Sequence, residues 1–186
     1  SVNDREGANF PNFSRKTTGQ HVLDPDLNPF TFEMQLFVPT KQNDTQVIVQ
    51  KRQTLSQNIT LALSQSSSTA NCDLIFGLTS GSAFLFTSAS INKGQFNYIS
   101  AQFNRASNRL LLYLNSELVV TSSTSYEMNE VKFNNANLLI GSGSEVRLNE
   151  TIFTPHQTLS GALDEFRFFH STRPQSTIKK DRYNEI

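Results

Sequence analysis

Two adjacent acidic residues, Asp164 and Glu165, lie in an otherwise largely apolar stretch, Leu159–Phe169, and they are the first candidates for chemistry. The stretch starts with a Ser-Gly turn and continues as a strand, in which successive side chains point to opposite faces. The predicted faces are Ala162, Asp164, Phe166 and Phe168 on one side and Leu163, Glu165, Arg167 and Phe169 on the other. An unpaired carboxylate on an apolar face is costly, so we expect Asp164 to accept N–H groups or to bind a cation.

A cation at Asp164 would be one that prefers oxygen ligands, as calcium does. Calcium needs about six to eight oxygens, and the sequence shows no Asp-rich loop that would supply the others. The alternative is structural: the carboxylate accepts main-chain N–H groups and ties its strand to the N-terminal arm. Both interpretations stay open.

The spacing of these acids argues against glycoside hydrolysis. That reaction uses two carboxylates that face one cleft, about 5–10 Å apart, which on a single strand requires positions i and i+2. Asp164 and Glu165 are neighbours and point to opposite faces. We therefore predict no catalytic residues and no enzyme activity.

The histidines and the single cysteine also lack a catalytic arrangement. His21, His156 and His170 lie in unrelated segments with no metal-ligand spacing, and we expect them to be solvated loop residues. Cys72 alternates with apolar residues, which predicts a small core residue. Since it is the only cysteine, no internal disulfide can form.

Sugar binding usually requires an exposed aromatic side chain beside polar groups. Tyr98, Tyr113 and Tyr126 are the phenols considered for this role, and the polar loops Asn104–Arg109 and Ser64–Asp73 could frame a site. No one of them is favoured, so the ligand-binding residues are left unassigned.

The elements that position these residues are strands. Residues 30–39 alternate, with Phe32, Met34, Leu36 and Val38 on one face, and similar alternation recurs in 59–63, 72–78 and 110–114. Residues 145–158 are predicted to be an inserted loop, and one short helix is predicted around Thr177–Tyr183. The pattern is typical of an all-β domain.

Several of these strands resemble the laminin-G-like, concanavalin A-like jelly roll. Phe-Thr-Phe-Glu-Met at 30–34, Leu-Leu-Ile-Gly at 138–141 and Gly-Ala-Leu-Asp-Glu-Phe at 161–166 match its strand patterns. In a fourth segment, Phe96 stands at the family's Trp position and Tyr98 at its His position. In a fifth, Asn115-Ser116 replaces the family's Asn-Gly turn, and we expect a different turn type there because Ser is less comfortable at positive φ.

This resemblance implies an antiparallel two-sheet jelly-roll sandwich. It also implies calcium as the candidate cofactor, with Asp164 as one ligand, since some family members bind calcium near the strand that carries this residue. It divides the chain into an entering arm or linker plus first strand at 1–22, the jelly roll at 23–178 and a C-terminal tail at 179–186. The start at Ser1 without Met is expected of a processed or excised piece of a longer protein.

The composition argues against two classes of partner, nucleic acids and membranes. Lysine plus arginine and aspartate plus glutamate both number 16, so the formal net charge is zero, which argues against a nucleic-acid surface. No apolar run approaches the roughly 20 residues that span a bilayer, so no membrane insertion is expected. Abundant polar residues on an all-β fold are typical of extracellular, cell-surface or virion proteins.

The sequence therefore predicts a non-catalytic recognition or adhesion module of a larger protein, which binds a glycan or a protein through loops or a sheet face. The alternative is a structural or assembly domain, such as a virion decoration or fibre domain, which contacts neighbouring subunits and has no free ligand. A glycoside hydrolase is a distant third.

Overall fold

The structure, a computed structural model, describes residues 8–10 (main chain only), 23–123, 126–133 and 136–182. The strands are β1 Ala8–Phe10, β2 Phe30–Phe37, β3 Gln46–Thr54, β4 Gln57–Leu63, β5 Asn71–Ser80, β6 Ala83–Asn92, β7 Phe96–Asn104, β8 Arg109–Leu114, β9 Glu117–Thr121, β10 Leu138–Ile140, β11 Val146–Leu148, β12 Thr151–Phe153 and β13 Ala162–Phe169. The helix α1 is Gln175–Asp181. No helix in these ranges is long and apolar enough to cross a membrane.

Two antiparallel sheets form a sandwich. One has six strands in the order β1-β10-β3-β4-β5-β6, and the other has five in the order β13-β2-β7-β8-β9. A separate two-stranded sheet pairs β11 with β12. The jelly-roll prediction is confirmed.

The main core lies between the two large sheets and takes alternate side chains from the strands of both. From β2 and β5 these are Phe30, Phe32, Met34, Leu36, Cys72, Leu74, Phe76 and Leu78. Strict alternation suits a strand with one face on the core, because a slip of one residue would move the whole apolar set to the other face.

The strand β13 differs from its predicted pattern because it contains a β-bulge. The pairing with β2 shifts between Asp164 and Arg167, so Glu165 and Phe166 together lie opposite one residue. Glu165 has a φ of 53°. The extra residue reverses the alternation: Leu163 and Phe166 both contact the core, and Asp164 is exposed. The predicted placement of Asp164 and Phe166 on one face is therefore wrong.

The turn between β8 and β9 also differs from expectation. Asn115 and Ser116 have φ values of 51° and 73°. Positive φ at both central positions is the property of the type I′ hairpin that Asn-Gly favours. The expectation that Ser116 forces another turn type is wrong, and the turn keeps this backbone with a serine in the glycine position.

Residues 145–158, predicted as a loop, contain the hairpin β11–β12. Its buried residues form a second apolar cluster on the outer face of the six-stranded sheet: Val146, Leu148 and Phe153 pack with Val47 and Ala62, and with the half-buried Ile75 and Phe86. The helix predicted near Thr177 is present as α1, with Ile178 fully buried.

Candidate functional site

A cleft of about 370 Å³ lies where the turns of two hairpins meet. One turn joins β5 to β6, and the other joins β11 to β12. The cleft is lined by Thr79, Gly81, Ser82, Phe84, Arg147, Asn149 and Glu150. This lining combines one aromatic ring, two opposite charges, an amide and hydroxyl groups.

Close packing against a glycine positions the β11–β12 hairpin. Leu148 is buried directly over Gly77, where an added Cβ would lie 2.5 Å from Leu148 Cδ2. At the tip, Asn149 adopts a φ of 58°, and Thr151 Oγ1 donates to Leu148 O at 3.1 Å. Asparagine tolerates this left-handed conformation better than most residues. The tip therefore has a defined geometry on the sheet.

The main chain of Arg147 is held on both sides. Its N–H donates to Leu55 O at 2.8 Å, and its carbonyl accepts from Thr79 Oγ1 at 2.9 Å and from Asn58 Nδ2 at 3.3 Å. Because the neighbouring residues along β11 are buried, alternation points the exposed Arg147 side chain away from the sheet. The Arg147 side chain thus projects from an ordered main chain beside the cleft.

Phe84 forms the aromatic wall and is supported from behind by Tyr126. The two ring centroids lie 4.6 Å apart with an interplanar angle of 42°, and Tyr126 is 37% exposed. Asn108 holds the main chain beside Tyr126, since its Nδ2 donates to Tyr126 O and its Oδ1 accepts from Met128 N–H at 3.0 Å. The structure thus brings Tyr126 together with the predicted loop Asn104–Arg109.

A buried acid anchors the segment that carries Tyr126. Asp26 forms two main-chain hydrogen bonds with Val131, both 3.0 Å, while Arg105 bridges Asp26 O and Met128 O. The Asp26 carboxylate is buried, and in the part of the chain that the structure describes neither oxygen has a hydrogen-bond donor. Burial, and then the nearby Glu130, raise the pKa of Asp26.

Asp164 lies elsewhere, at the bulge of β13, and does not contribute to the cleft. Its Oδ1 accepts the main-chain N–H of Glu165 at 2.8 Å, and any contact with the N-terminal arm falls outside the described residues. Within the ranges that the structure describes, no group of three or more His, Cys, Asp or Glu residues is arranged to hold a metal ion. Calcium at Asp164 stays a prediction.

Tyr98 and Tyr113 point away from the cleft, on the outer face of the five-stranded sheet. Tyr98 is buried and its hydroxyl donates to Glu33 Oε2 at 2.9 Å; burial and the Glu33 charge raise the pKa of Tyr98. The fully buried Glu33 also contacts Arg173 Nε at 3.3 Å, which connects the segment before α1 to the sheet. Burial raises the pKa of Tyr113. The contacts of Tyr98 are structural.

The loop Ser64–Asp73 is tied to the body of the domain and lies apart from the cleft lining. The buried Lys93 donates to the carbonyls of Ser66, at 3.2 Å, and Ser68, at 2.6 Å, and also to Gln42 O. This ammonium group fixes the loop in place, so the expectation that the loop frames a site gains no support.

The histidines differ from one another, and the cysteine behaves as predicted. His21 lies outside the described residues, and His156 is exposed. His170 is half-buried, with its ring 4.9 Å from that of Phe168, so the prediction of a solvated loop residue is wrong there. Cys72 is buried in the core, which raises the pKa of its thiol.

The cleft residues Arg147, Asn149 and Glu150 did not emerge from the sequence. They lie in the segment that was predicted to be a loop. One signal was available: Val146 and Leu148 alternate, and Asn149-Glu150 follows as a two-residue turn, which together indicate a hairpin.

Residues 12–179 match the family model Laminin_G_3, which describes the concanavalin A-like lectin/glucanases superfamily. The chain belongs to this family. The resemblance seen in the strand patterns of this laminin-G-like domain is therefore confirmed. A search of the curated proteins finds no match.

Solved structures with the same fold include three of different origin. Native heptameric SAP-like pentraxin from Limulus polyphemus is 14% identical, with a TM-score of 0.63, over 97% of this chain and 83% of that one. The binding domain of botulinum neurotoxin serotype D is 12% identical, with a TM-score of 0.56, over 87% of this chain and 37% of that one. The CBM40 of Ruminococcus gnavus IT-sialidase, bound to α2,3-sialyllactose, is 13% identical, with a TM-score of 0.55, over 94% of this chain and 92% of that one. At such identities the likeness concerns the fold alone.

Proposed function

We propose that this laminin-G-like domain is a non-catalytic glycan-binding module of an extracellular, cell-surface or virion protein. The observation that carries the proposal is the cleft, in which the Phe84 ring faces the same space as Arg147, Asn149 and Glu150. Ligand sites typically combine an apolar wall with a few placed polar groups. An aromatic face packs on the C–H face of a sugar ring, and the polar groups hydrogen-bond its hydroxyls.

Two further points support recognition over hydrolysis. Among the described residues, Glu150 is the one carboxylate that lines the cleft, whereas glycoside hydrolysis normally uses two. Among the similar structures, the CBM40 is bound to a sialylated sugar and the toxin fragment is a binding domain. The location of the parent protein is part of the proposal.

A glycan array followed by calorimetry tests this function, with the purified domain assayed in calcium and in chelator. Phe84→Leu keeps most of the apolar volume but removes the ring. We expect it to weaken binding roughly 3- to 10-fold, since an aromatic contact contributes about 0.5–1.5 kcal/mol beyond its buried area. Phe96→Leu is the matched control, because Phe96 is 53% exposed and lies outside the cleft lining.

Two results would contradict the proposal. One is an array on which no sugar binds saturably. The other is binding that Phe84→Leu and Phe96→Leu weaken by the same factor, because the ligand would then lie outside the cleft.

The calcium arm of the experiment examines Asp164. If Asp164 binds calcium, chelator lowers the melting temperature of the wild type and leaves that of Asp164→Ala unchanged. If Asp164 acts only through its hydrogen bond to Glu165 N–H, Asp164→Ala loses about 0.5–1.5 kcal/mol in either buffer. Equal melting temperatures for both proteins in both buffers would exclude both roles.

The second candidate function is assembly, and the edge strand β9 favours it. Leu118 and Val119 are 45% and 47% exposed there, on opposite faces of a strand that, among the described strands, pairs only with β8. Unpaired edges with apolar side chains are suited to contact other chains. Sedimentation velocity compares the wild type with Val119→Lys: an oligomer that the variant dissociates would support assembly, and a wild-type monomer at all concentrations would contradict it.

A further inference from the structure

Arg147 supplies the positive charge among the residues that line the cleft. Arg105, which supports the Tyr126 segment beside the cleft, instead donates to main-chain carbonyls. In the described part of the chain, no hydrogen bond or ion pair engages the Arg147 guanidinium, although Glu150 lines the same cleft. Its donors therefore have no internal acceptor among the described residues and are available to a ligand in the cleft.

The main chain from which this guanidinium projects is fixed before any ligand arrives. Three hydrogen bonds fix the main chain of Arg147, to Leu55, Thr79 and Asn58. Anchoring of the hairpin by Leu148 prevents the tip from sliding along the sheet. Binding therefore does not have to order the main chain of this hairpin, and the entropy cost is confined to the Arg147 side chain.

We propose that the cleft selects sugars that carry a carboxylate, and that Arg147 is the residue that determines this specificity. The inference rests on the proposed glycan-binding function and names the class of ligand. A planar guanidinium matches a carboxylate with two parallel hydrogen bonds, which a neutral hydroxyl cannot reproduce. Phe84 then packs on the sugar ring, and the Asn149 amide binds hydroxyls.

Glu150 sets the orientation of such a ligand. Its carboxylate repels an acidic group and accepts hydrogen bonds from hydroxyls, so the sugar acid binds with its carboxylate towards Arg147 and a hydroxyl towards Glu150. Neutralising Glu150 should therefore tighten the binding of an acidic sugar and leave that of its neutral counterpart nearly unchanged.

Calorimetry with matched ligands tests the assignment. The probes are the methyl glycosides of N-acetylneuraminic acid and of glucuronic acid, each compared with its own methyl ester. We expect the wild type to bind at least one acid roughly 10- to 100-fold more tightly than its ester, the range for a hydrogen-bonded charge. Arg147→Gln should remove this difference, Arg147→Lys should keep part of it, and Glu150→Gln should increase it a few-fold.

Lys41→Gln is the control for charge, because Lys41 is an exposed cation outside the cleft lining. If Lys41→Gln reduces the preference for the acid as much as Arg147→Gln does, the effect is general electrostatics and the assignment fails. It also fails if acid and ester bind equally, or if a sulfated sugar binds more tightly than either acid. In these cases the domain could still bind a neutral or a sulfated sugar. If Phe84→Leu weakens that binding, the proposed glycan-binding function still holds, although the specificity assigned to Arg147 does not. A wild type that binds no sugar contradicts both proposals.

Discussion

Replacing Asp26 with asparagine should stabilise the protein at neutral pH, although Asp26 is buried. The residue is 1% exposed, and neither carboxylate oxygen has a hydrogen-bond donor among the described residues. Within the same part of the chain, the cation that lies near the carboxylate is Lys132 Nζ, which is 4.0 Å from Oδ1 and is already paired with Glu130 at 2.7 Å. The ionised form of Asp26 is therefore poorly compensated.

The direction of the pH dependence follows from the pKa. Burial and Glu130 raise the pKa of Asp26 above the ordinary value of 3.8, so the folded state holds the proton more strongly than the unfolded state does. The contribution of this proton to stability is complete below the unfolded pKa and is lost as the pH rises through the folded pKa. Above that range the ionised carboxylate destabilises the folded protein.

Asparagine removes the charge and keeps the shape of the side chain. It also tolerates the φ of 59° at this position. A buried polar group without a partner costs about 1–3 kcal/mol, and we expect a gain near the lower end because Lys132 already offsets part of the charge. For a domain of this size, about 1 kcal/mol corresponds to an increase of roughly 2–4 °C in melting temperature.

Thermal unfolding of the wild type and of Asp26→Asn should be followed from pH 4 to pH 8. The gain should be largest at pH 7–8 and should shrink as the wild-type carboxyl becomes protonated. Asp73→Asn serves as the control, since Asp73 is exposed on β5 and the same exchange should change little there. A melting temperature for Asp26→Asn below that of the wild type at pH 7 would refute the reasoning and indicate that the carboxylate has a bound cation as partner.

Three other substitutions have effects that the contacts predict, each measurable by denaturant unfolding. Ser116→Gly should gain about 0.5–1 kcal/mol, because Ser116 has a positive φ and a buried hydroxyl without a partner; a loss would show that the hydroxyl is bonded. Gly161→Ala should cost about 1–3 kcal/mol, since the new Cβ would lie 2.3 Å from Phe37 O, and an unchanged midpoint would contradict this close approach. Lys51→Met should cost about 3–5 kcal/mol because it leaves Asp24 buried without its cation, 3.2 Å away; adding Asp24→Asn should recover part of the loss, and no recovery would argue against the ion pair.

The strands with one face on the core could be predicted from the sequence. In β2 the residues Phe32, Met34 and Leu36 alternate with polar ones, and the same pattern occurs in β5. Burial of one face imposes a period of two on the sequence, which can be detected without any knowledge of pairing. The order and spacing of these strands also carried the family resemblance.

The bulge in β13 could not be predicted in this way. It depends on the pairing with β2, and it requires Glu165, a residue that rarely adopts positive φ, to do so. The sequence pattern predicts a strict alternation of faces through the bulge. It therefore places Asp164 on the same face as Phe166, which is wrong. The chemistry expected of Asp164 followed from that error.

The cleft was missed because its parts come from turns that are far apart in the chain. Phe84 follows the β5–β6 turn, and Arg147 precedes the β11–β12 turn. Their proximity depends on the packing of Leu148 over Gly77, which no local pattern encodes. Tyr126 was considered, but nothing in the sequence indicated that it would contact Phe84.

The pairing of β13 with β2 has a consequence for synthesis on the ribosome. Between them the chain forms most of both sheets, and Thr31 Oγ1 donates to Ser171 O, 140 positions away. During translation β2 therefore emerges long before its partner and presents an unpaired edge to the cytosol or to a translocation channel. Folds dominated by such distant pairings form slowly, and a strand that waits without its partner is exposed to aggregation. We expect soluble yield to depend on chaperones that shield β2 until β13 has been made.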